Sequence, residues 1–162
     1  MSKIAIYGAG GLGREILEYF SYLKGEGVTG FYDDTIPTGA MIKNLPILGG
    51  IDVLNNTTEP VSLAMGIGKP QVKKRLIEQI KNPLVKYVLL THDITYEDYL
   101  KKNCVIGSGT IITKGCFLTT DITIGRHVLI NLACTLGHDV DIGDYSSVMP
   151  GCNISGGVKI GE

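Results

Sequence analysis

The stretch CVIGSGTIITKGCFLTTDITIGRHVLINLACTLGHDVDIGDYSSVMPGCNISGGVKI, residues 104–160, decides the fold. Taking every sixth residue from Ile106 gives Ile106, Ile112, Leu118, Ile124, Ile130, Leu136, Ile142, Val148, Ile154 and Ile160. All are branched aliphatics. Four residues beyond each of the first nine lies a small or apolar residue: Thr110, Cys116, Ile122, Val128, Cys134, Val140, Ser146, Cys152 and Val158. Neither an α-helix nor a hairpin sustains a six-residue period over this distance. The pattern is that of a parallel β-helix built from hexapeptides, in which three hexads close one triangular coil and coils stack about 4.8 Å apart. Glycine follows the aliphatic residue at Gly107, Gly125, Gly137, Gly143 and Gly161, where a tight corner is expected to need permissive backbone angles.

The same register accounts for the cysteines. Cys116, Cys134 and Cys152 recur at the inward small position in successive coils, so they are expected to pack as small hydrophobes. Neither a metal site nor a disulfide is expected of them.

Upstream, the chain alternates short strands with helical spacing. Lys3 to Tyr7 reads as a strand, followed by Gly8-Ala9-Gly10-Gly11-Leu12-Gly13 and a helix over Arg14 to Leu23. A strand over Val28 to Tyr32 ends on Asp33-Asp34. A second cycle runs through strand Val61 to Ile67, Gly68-Lys69-Pro70, a helix near Gln71 to Lys81 and a strand from Tyr87 to Leu90. Alternation of this kind predicts a mainly parallel sheet. The expected organisation is a Rossmann-like α/β unit over 1–90, a linker over 91–103 and an all-β left-handed parallel β-helix over 104–162. The α/β unit looks too short for a six-stranded dinucleotide sheet, which argues against a dehydrogenase.

The Gly8–Gly13 loop leaves a strand and opens a helix, the context in which glycines bring backbone and helix N–H groups to a phosphate. Asp33 and Asp34 follow at the distance where a carboxylate accepts from a ribose. The alternative is a tight turn with no ligand. Lys69 precedes a helix start and is either an anion contact or a solvated lysine. His138 stands outside the inward set and faces outward, which makes it a surface residue or a base. His127 and His92 do not complete a metal-ligand constellation with it, and no metal is expected. A net charge of −1 offers no basic stripe for nucleic acid. The apolar runs fall short of a bilayer span of about 20 residues, and the amino terminus lacks the features of a secretory signal. A cytoplasmic protein is expected, with no membrane association. Glycine, 22 of 162 residues, is about twice its usual share of roughly 7%, and its recurrence on the hexad period argues against a flexible linker.

At Gly8 to Gly13, Asp33-Asp34, and Ile130-Asn131 with Gly137-His138-Asp139-Val140-Asp141-Ile142-Gly143-Asp144-Tyr145, the chain resembles sugar acetyltransferases of the sialic acid O-acetyltransferase family. That family includes enzymes that N-acetylate UDP-4-amino-sugars. The resemblance implies a homotrimer with acetyl-CoA as co-substrate and a UDP-sugar or sialic acid as acceptor. It implies that His138 is the general base with Asp139 as its acidic partner, and that Asn131 lies near the acceptor. It further implies that Gly156 turns its N–H toward the thioester carbonyl, and that Ser147 stands where some relatives carry a histidine touching the cofactor. Adjacent residues on a regular strand face opposite ways, so a His138–Asp139 pair requires a corner or a second subunit. The hexad that opens at Ile160 is incomplete, which suggests that the natural chain continues through further coils. Three readings remain open: amino-sugar N-acetylation, sialic acid O-acetylation, and a non-catalytic trimeric scaffold that binds nucleotide sugars.

Overall fold

The computed structural model describes residues 3–23, 27–91 and 94–162. The chain forms two compact units, Met1–Val88 and Leu89–Glu162.

In the first unit, β1 (Lys3–Tyr7) leads through the glycine loop into α1 (Gly11–Leu23), and β2 (Val28–Tyr32) returns beside β1. A hairpin follows, β3 (Met41–Ile42) and β4 (Leu45–Gly49), then α2 (Ile51–Asn55), β5 (Val61–Met65), α3 (Pro70–Gln79) and β6 (Val85–Tyr87). The sheet has six strands in the order β3-β4-β2-β1-β5-β6, so the expectation of a smaller sheet is corrected. The hairpin supplies the difference. Lys43 and Asn44, both with positive φ, make its two-residue turn, which matches the twist of antiparallel strands. All other pairings in this sheet are parallel. Ala5, Tyr7, Leu54, Leu63 and Met65 form a buried cluster on one sheet face. Burying one such large apolar side chain contributes about 1.5–3 kcal/mol.

The second unit begins with β7 (Leu90–Thr91) and α4 (Ile94–Asn103), which occupies most of the stretch read as a linker. The strand expected over Tyr87 to Leu90 is two strands. Val85–Tyr87 pairs with β5, while Leu90–Thr91 pairs with β9 (Ile111–Ile112) of the coils. The first coil comprises β8 (Cys104–Ile106), β9 and β10 (Phe117–Leu118). The second comprises β11 (Ile122–Ile124), β12 (Leu129–Ile130) and β13 (Thr135–Leu136). The third comprises β14 (Asp141–Ile142), β15 (Ser147–Val148) and β16 (Asn153–Ile154), with β17 (Lys159–Ile160) opening the next turn. These strands stack as three parallel sheets of a left-handed β-helix. Residues eighteen apart pair throughout the coils, as in Phe117 with Thr135 and Leu129 with Ser147. Ile112, Leu118, Ile124, Ile130, Leu136 and Ile142 are at most 3% exposed.

The recurrent glycines do not supply the unusual backbone angles expected of them. Gly107, Gly125, Gly137, Gly143 and Gly161 do not have positive φ. Except at Gly161, a Cβ would lie within 2.9 Å of the coil that follows, for example 2.5 Å from Gly156 N at Gly137. These glycines permit close approach between coils. The left-handed backbone falls two residues later, at 109, 115, 121, 127, 133, 139, 145, 151 and 157. Five of those nine positions are not glycine: Asp121, His127, Ala133, Asp139 and Tyr145.

Candidate active site

In the first unit, the chain order reverses between β1 and β5, and at such a switch point the carboxyl ends of parallel strands form a crevice for ligands. Gly66 N–H donates to Tyr7 O at 2.7 Å and Gly8 N–H to Tyr32 O at 2.7 Å, drawing the three strand ends together. Gly8, with φ of +95°, makes the turn that a side chain would resist. A Cβ on Gly13 would lie 1.8 Å from Gly8 O, so that glycine serves helix-to-loop packing. Gly10 and Gly11 differ: both are exposed, and a Cβ on either would meet nothing within 4 Å. They leave the backbone N–H groups at the start of α1 open to a ligand.

Asp33 and Asp34 are both held by the protein. Asp33 accepts from Ala9 N–H at 3.0 Å and from the amide and hydroxyl of Thr35 at 2.9 and 2.6 Å. Burial alone would raise its carboxyl, but these donors outweigh burial and hold it below the usual carboxylate range. Asp34 accepts the hydroxyl of Tyr7 on one oxygen and Ile51 N–H at 2.8 Å on the other. Burial first, then the bond to Asp34, push the Tyr7 phenol far above its ordinary value, so it remains a donor. Arg14 Nη1 donates to Ala9 O at 3.1 Å, a further tie on the loop. Lys69 is exposed at the start of α3. Tyr7, Arg14 and Gly66 were not singled out in the sequence; Tyr7, a phenol at the end of an apolar strand, was the one legible clue.

In the second unit, His138 and Asp139 form the corner between β13 and β14. Asp139 is in left-handed backbone, φ 59°, and this brings neighbouring side chains to the same side. His138 Nδ1 lies 2.7 Å from Asp139 Oδ2, with side chains 68% and 66% exposed. The corner required for their pairing is present within one chain. With Nδ1 bound to the carboxylate as a donor, Nε2 carries the lone pair. Directly along the stack, Gly157 N–H donates to His138 O at 2.8 Å, and a Cβ on Gly156 would lie 2.7 Å from His138 Nε2.

Asn131 and Ser147 do not share this corner. Asn131 follows β12 at the preceding corner, where its Oδ1 accepts Leu132 N–H at 2.8 Å. Ser147 belongs to β15, paired with Leu129. His127 is buried against Tyr145 at another corner, and His92 lies outside the described residues. Among the described residues, no three His, Cys, Asp or Glu gather as a metal group, and no described helix is long and apolar enough to cross a membrane.

Residues 3–80 match the family model of the PglD N-terminal domain. Comparison with curated proteins returns no match by sequence. Among solved structures, WeeI from Acinetobacter baumannii AYE is similar over 100% of this chain and 76% of its own, with 24% identity and a TM-score of 0.77. PerB from Caulobacter crescentus, solved in complex with CoA and GDP-perosamine, matches over 99% of this chain and 84% of its own, at 20% identity and a TM-score of 0.71. The acetyltransferase domain of PglB from Neisseria gonorrhoeae FA1090, in complex with acetyl coenzyme A, covers 99% of this chain and 96% of its own, at 17% identity and a TM-score of 0.64. The chain has their fold. Within it, the PglD-like unit contains the strand-end crevice, and the coils that follow contain the His138 corner.

Proposed function

We propose that this chain is an acetyl-CoA-dependent acetyltransferase whose acceptor is the amine of a nucleotide-linked amino sugar. The observation that carries the proposal is the His138–Asp139 pair, 2.7 Å apart and open to solvent at a β-helix corner. The fold shared with PerB, whose structure contains CoA and GDP-perosamine, supports the choice of substrates.

In this reading the crevice at Gly8, Gly10 and Gly11 holds the diphosphate, with Asp33 and Asp34 shaping its rim and Lys69 near the anion. Acetyl-CoA, when bound, supplies the acetyl thioester. The free sites at the corner suit it: Gly156 presents no side chain, and its N–H has no acceptor among the described residues, which leaves it able to steady an oxyanion. His138 Nε2 takes a proton from the acceptor nitrogen as that nitrogen bonds to the acetyl carbon. The carbon–sulfur bond then breaks, and the sulfur takes that proton from His138 and leaves as the thiol. Asp139 holds the imidazole in the tautomer that leaves Nε2 basic. Asn131 and Ser147 sit elsewhere on the coils, so their proposed contacts with acceptor and CoA require a second chain, consistent with a homotrimer.

The test is a screen of UDP- and GDP-linked amino sugars and of sialic acid with acetyl-CoA, following thiol release and product mass. Acetylation of an amino-sugar nucleotide is expected. Transfer only to sialic acid would move the assignment to a hydroxyl acceptor. Nucleotide-sugar binding without any transfer would leave a scaffold and defeat the enzymatic reading.

A further inference from the structure

Gly156 holds a place that the corner geometry does not reserve for glycine. The equivalent positions at the other corners are Ser108, Lys114, Thr120, Arg126, Leu132, His138, Asp144 and Pro150, none of them glycine, so this turn accepts side chains. The backbone of Gly156 is not left-handed either; that conformation belongs to Gly157, at φ +74°. What excludes a side chain is the imidazole. A Cβ at 156 would lie 2.7 Å from His138 Cε1, 2.7 Å from Nε2 and 3.0 Å from Cδ2, and these are the three heavy atoms nearest to it. Contacts below about 3.5 Å between carbon atoms are repulsive.

We infer that Gly156 is a positioning residue for His138: the ring lies over the bare backbone of the following coil while Nδ1 is held by Asp139. Two constraints then fix the imidazole. The carboxylate sets its tautomer and one edge, and the glycine sets the plane in which Nε2 is presented. Because the ring is the far end of an exposed side chain, a methyl group at 156 displaces it at small cost to folding. The geometry of the base changes while the coil remains intact. This inference rests on the reading of His138 as the base, and it assigns Gly156 a steric role distinct from any use of its N–H.

The experiment is Gly156→Ala in the full chain, with His138 observed by imidazole NMR in the ligand-free protein across pH and with steady-state kinetics measured alongside. Thermal unfolding serves as the control for folding. The expected result is a folded protein whose His138 ring signals move. In the kinetics, kcat should fall about ten- to a hundredfold, with a smaller change in KM for acetyl-CoA. His138 ring signals identical to those of the parent protein would overturn the inference, whatever happens to activity. Failure of the parent protein to transfer acetyl groups would instead defeat the enzymatic reading. The ring measurement needs no turnover, so the two failures are separable. Should Gly156→Ala not fold, Gly156→Ala combined with His138→Ala decides the matter: recovery of folding supports the collision, and persistent unfolding overturns it.

Discussion

The imidazole of His127 lies flat against the ring of Tyr145, with centroids 5.6 Å apart and planes 5° from parallel, and both residues occupy left-handed backbone. One coil earlier the same position is Gly109, where a Cβ would lie 2.3 Å from His127 Nδ1. A non-glycine residue in this conformation costs roughly 1–2 kcal/mol. The stack, worth about 0.5–1.5 kcal/mol for aromatic pairs, offsets part of that cost. His127→Ala is expected to lower stability by removing the stack while keeping the strained backbone. His127→Gly removes both, so it should be less harmful by about 1 kcal/mol. Denaturant unfolding of the two variants checks the order; Ala as stable as Gly would contradict it.

His138→Ala is expected to reduce turnover by about two to four orders of magnitude, the range for loss of a general base. Its side chain is outside the apolar interior, so the melting temperature should change little. Asp139→Asn should lower kcat more than it raises KM, because the amide can hold the imidazole in the wrong tautomer. Near-parental turnover of His138→Ala would falsify the assignment of the base.

Asp34 has two protein partners, Tyr7 and Ile51, and this refines what its replacement should do. Asp34→Asn leaves a single acceptor oxygen for two donors, at a cost of about 1–3 kcal/mol. Tyr7→Phe loosens the same latch but keeps the carboxylate. If the carboxylate itself contacts nucleotide, calorimetry should show UDP binding weakened more by Asp34→Asn than by Tyr7→Phe. CoA affinity should stay near parental in both. Equal losses in the two variants would reduce Asp34 to a structural tie.

Lys73 is 2% exposed within α3, and burial pushes its amine down to about 8 from an ordinary 10.5. The folded value lies below the unfolded one, so the folded chain loses this proton first. Stability attributable to Lys73 therefore rises with pH between about 8 and 10.5 and is lowest below that window. The rise amounts to up to about 3 kcal/mol. Lys73→Met should flatten it. Parallel stability–pH curves for the parent protein and the variant would show that the lysine is not desolvated.

Burial also pushes the Cys104, Cys116 and Cys134 thiols up. Cys134 is fully buried, its Sγ donating to Met149 O at 3.1 Å, as Cys116 does to Asn131 O at 3.1 Å. Thiol titration of the native protein should proceed slowly, with Cys134 labelled last and full labelling only on unfolding. Rapid native labelling of Cys134 would mean that the inward register is misplaced.

The coils were readable because their core has a strict period: Ile106 to Ile160 repeats one physical requirement ten times. The first unit was readable where the same apolar logic held, at Lys3–Tyr7, Val28–Tyr32 and Val61–Met65. The Met41–Gly49 hairpin was missed because its turn is Lys43-Asn44, with no glycine to mark two left-handed residues. The left-handed corners were placed on the wrong residue for a related reason. Glycine signals either unusual φ or close approach, and at Gly125 and Gly143 only the second applies. The His138–Asp139 pair could be named but not built from sequence, since it depends on the φ of Asp139. That Tyr7 meets Asp34, 27 residues away, depends on sheet order, which no local pattern contains.

The pairing of each residue with the one eighteen positions later also governs how such a chain can change length. One residue inserted into a strand such as Thr135–Leu136 would turn every later aliphatic side chain out of the prism. One extruded at a corner would disturb only its own turn. Removing or duplicating eighteen residues would return every ladder to register. Growth of this unit is therefore quantised in whole coils, and small insertions are confined to the three vertical edges. The edge that carries His138 and Gly156 is the one where even those would separate the base from its support.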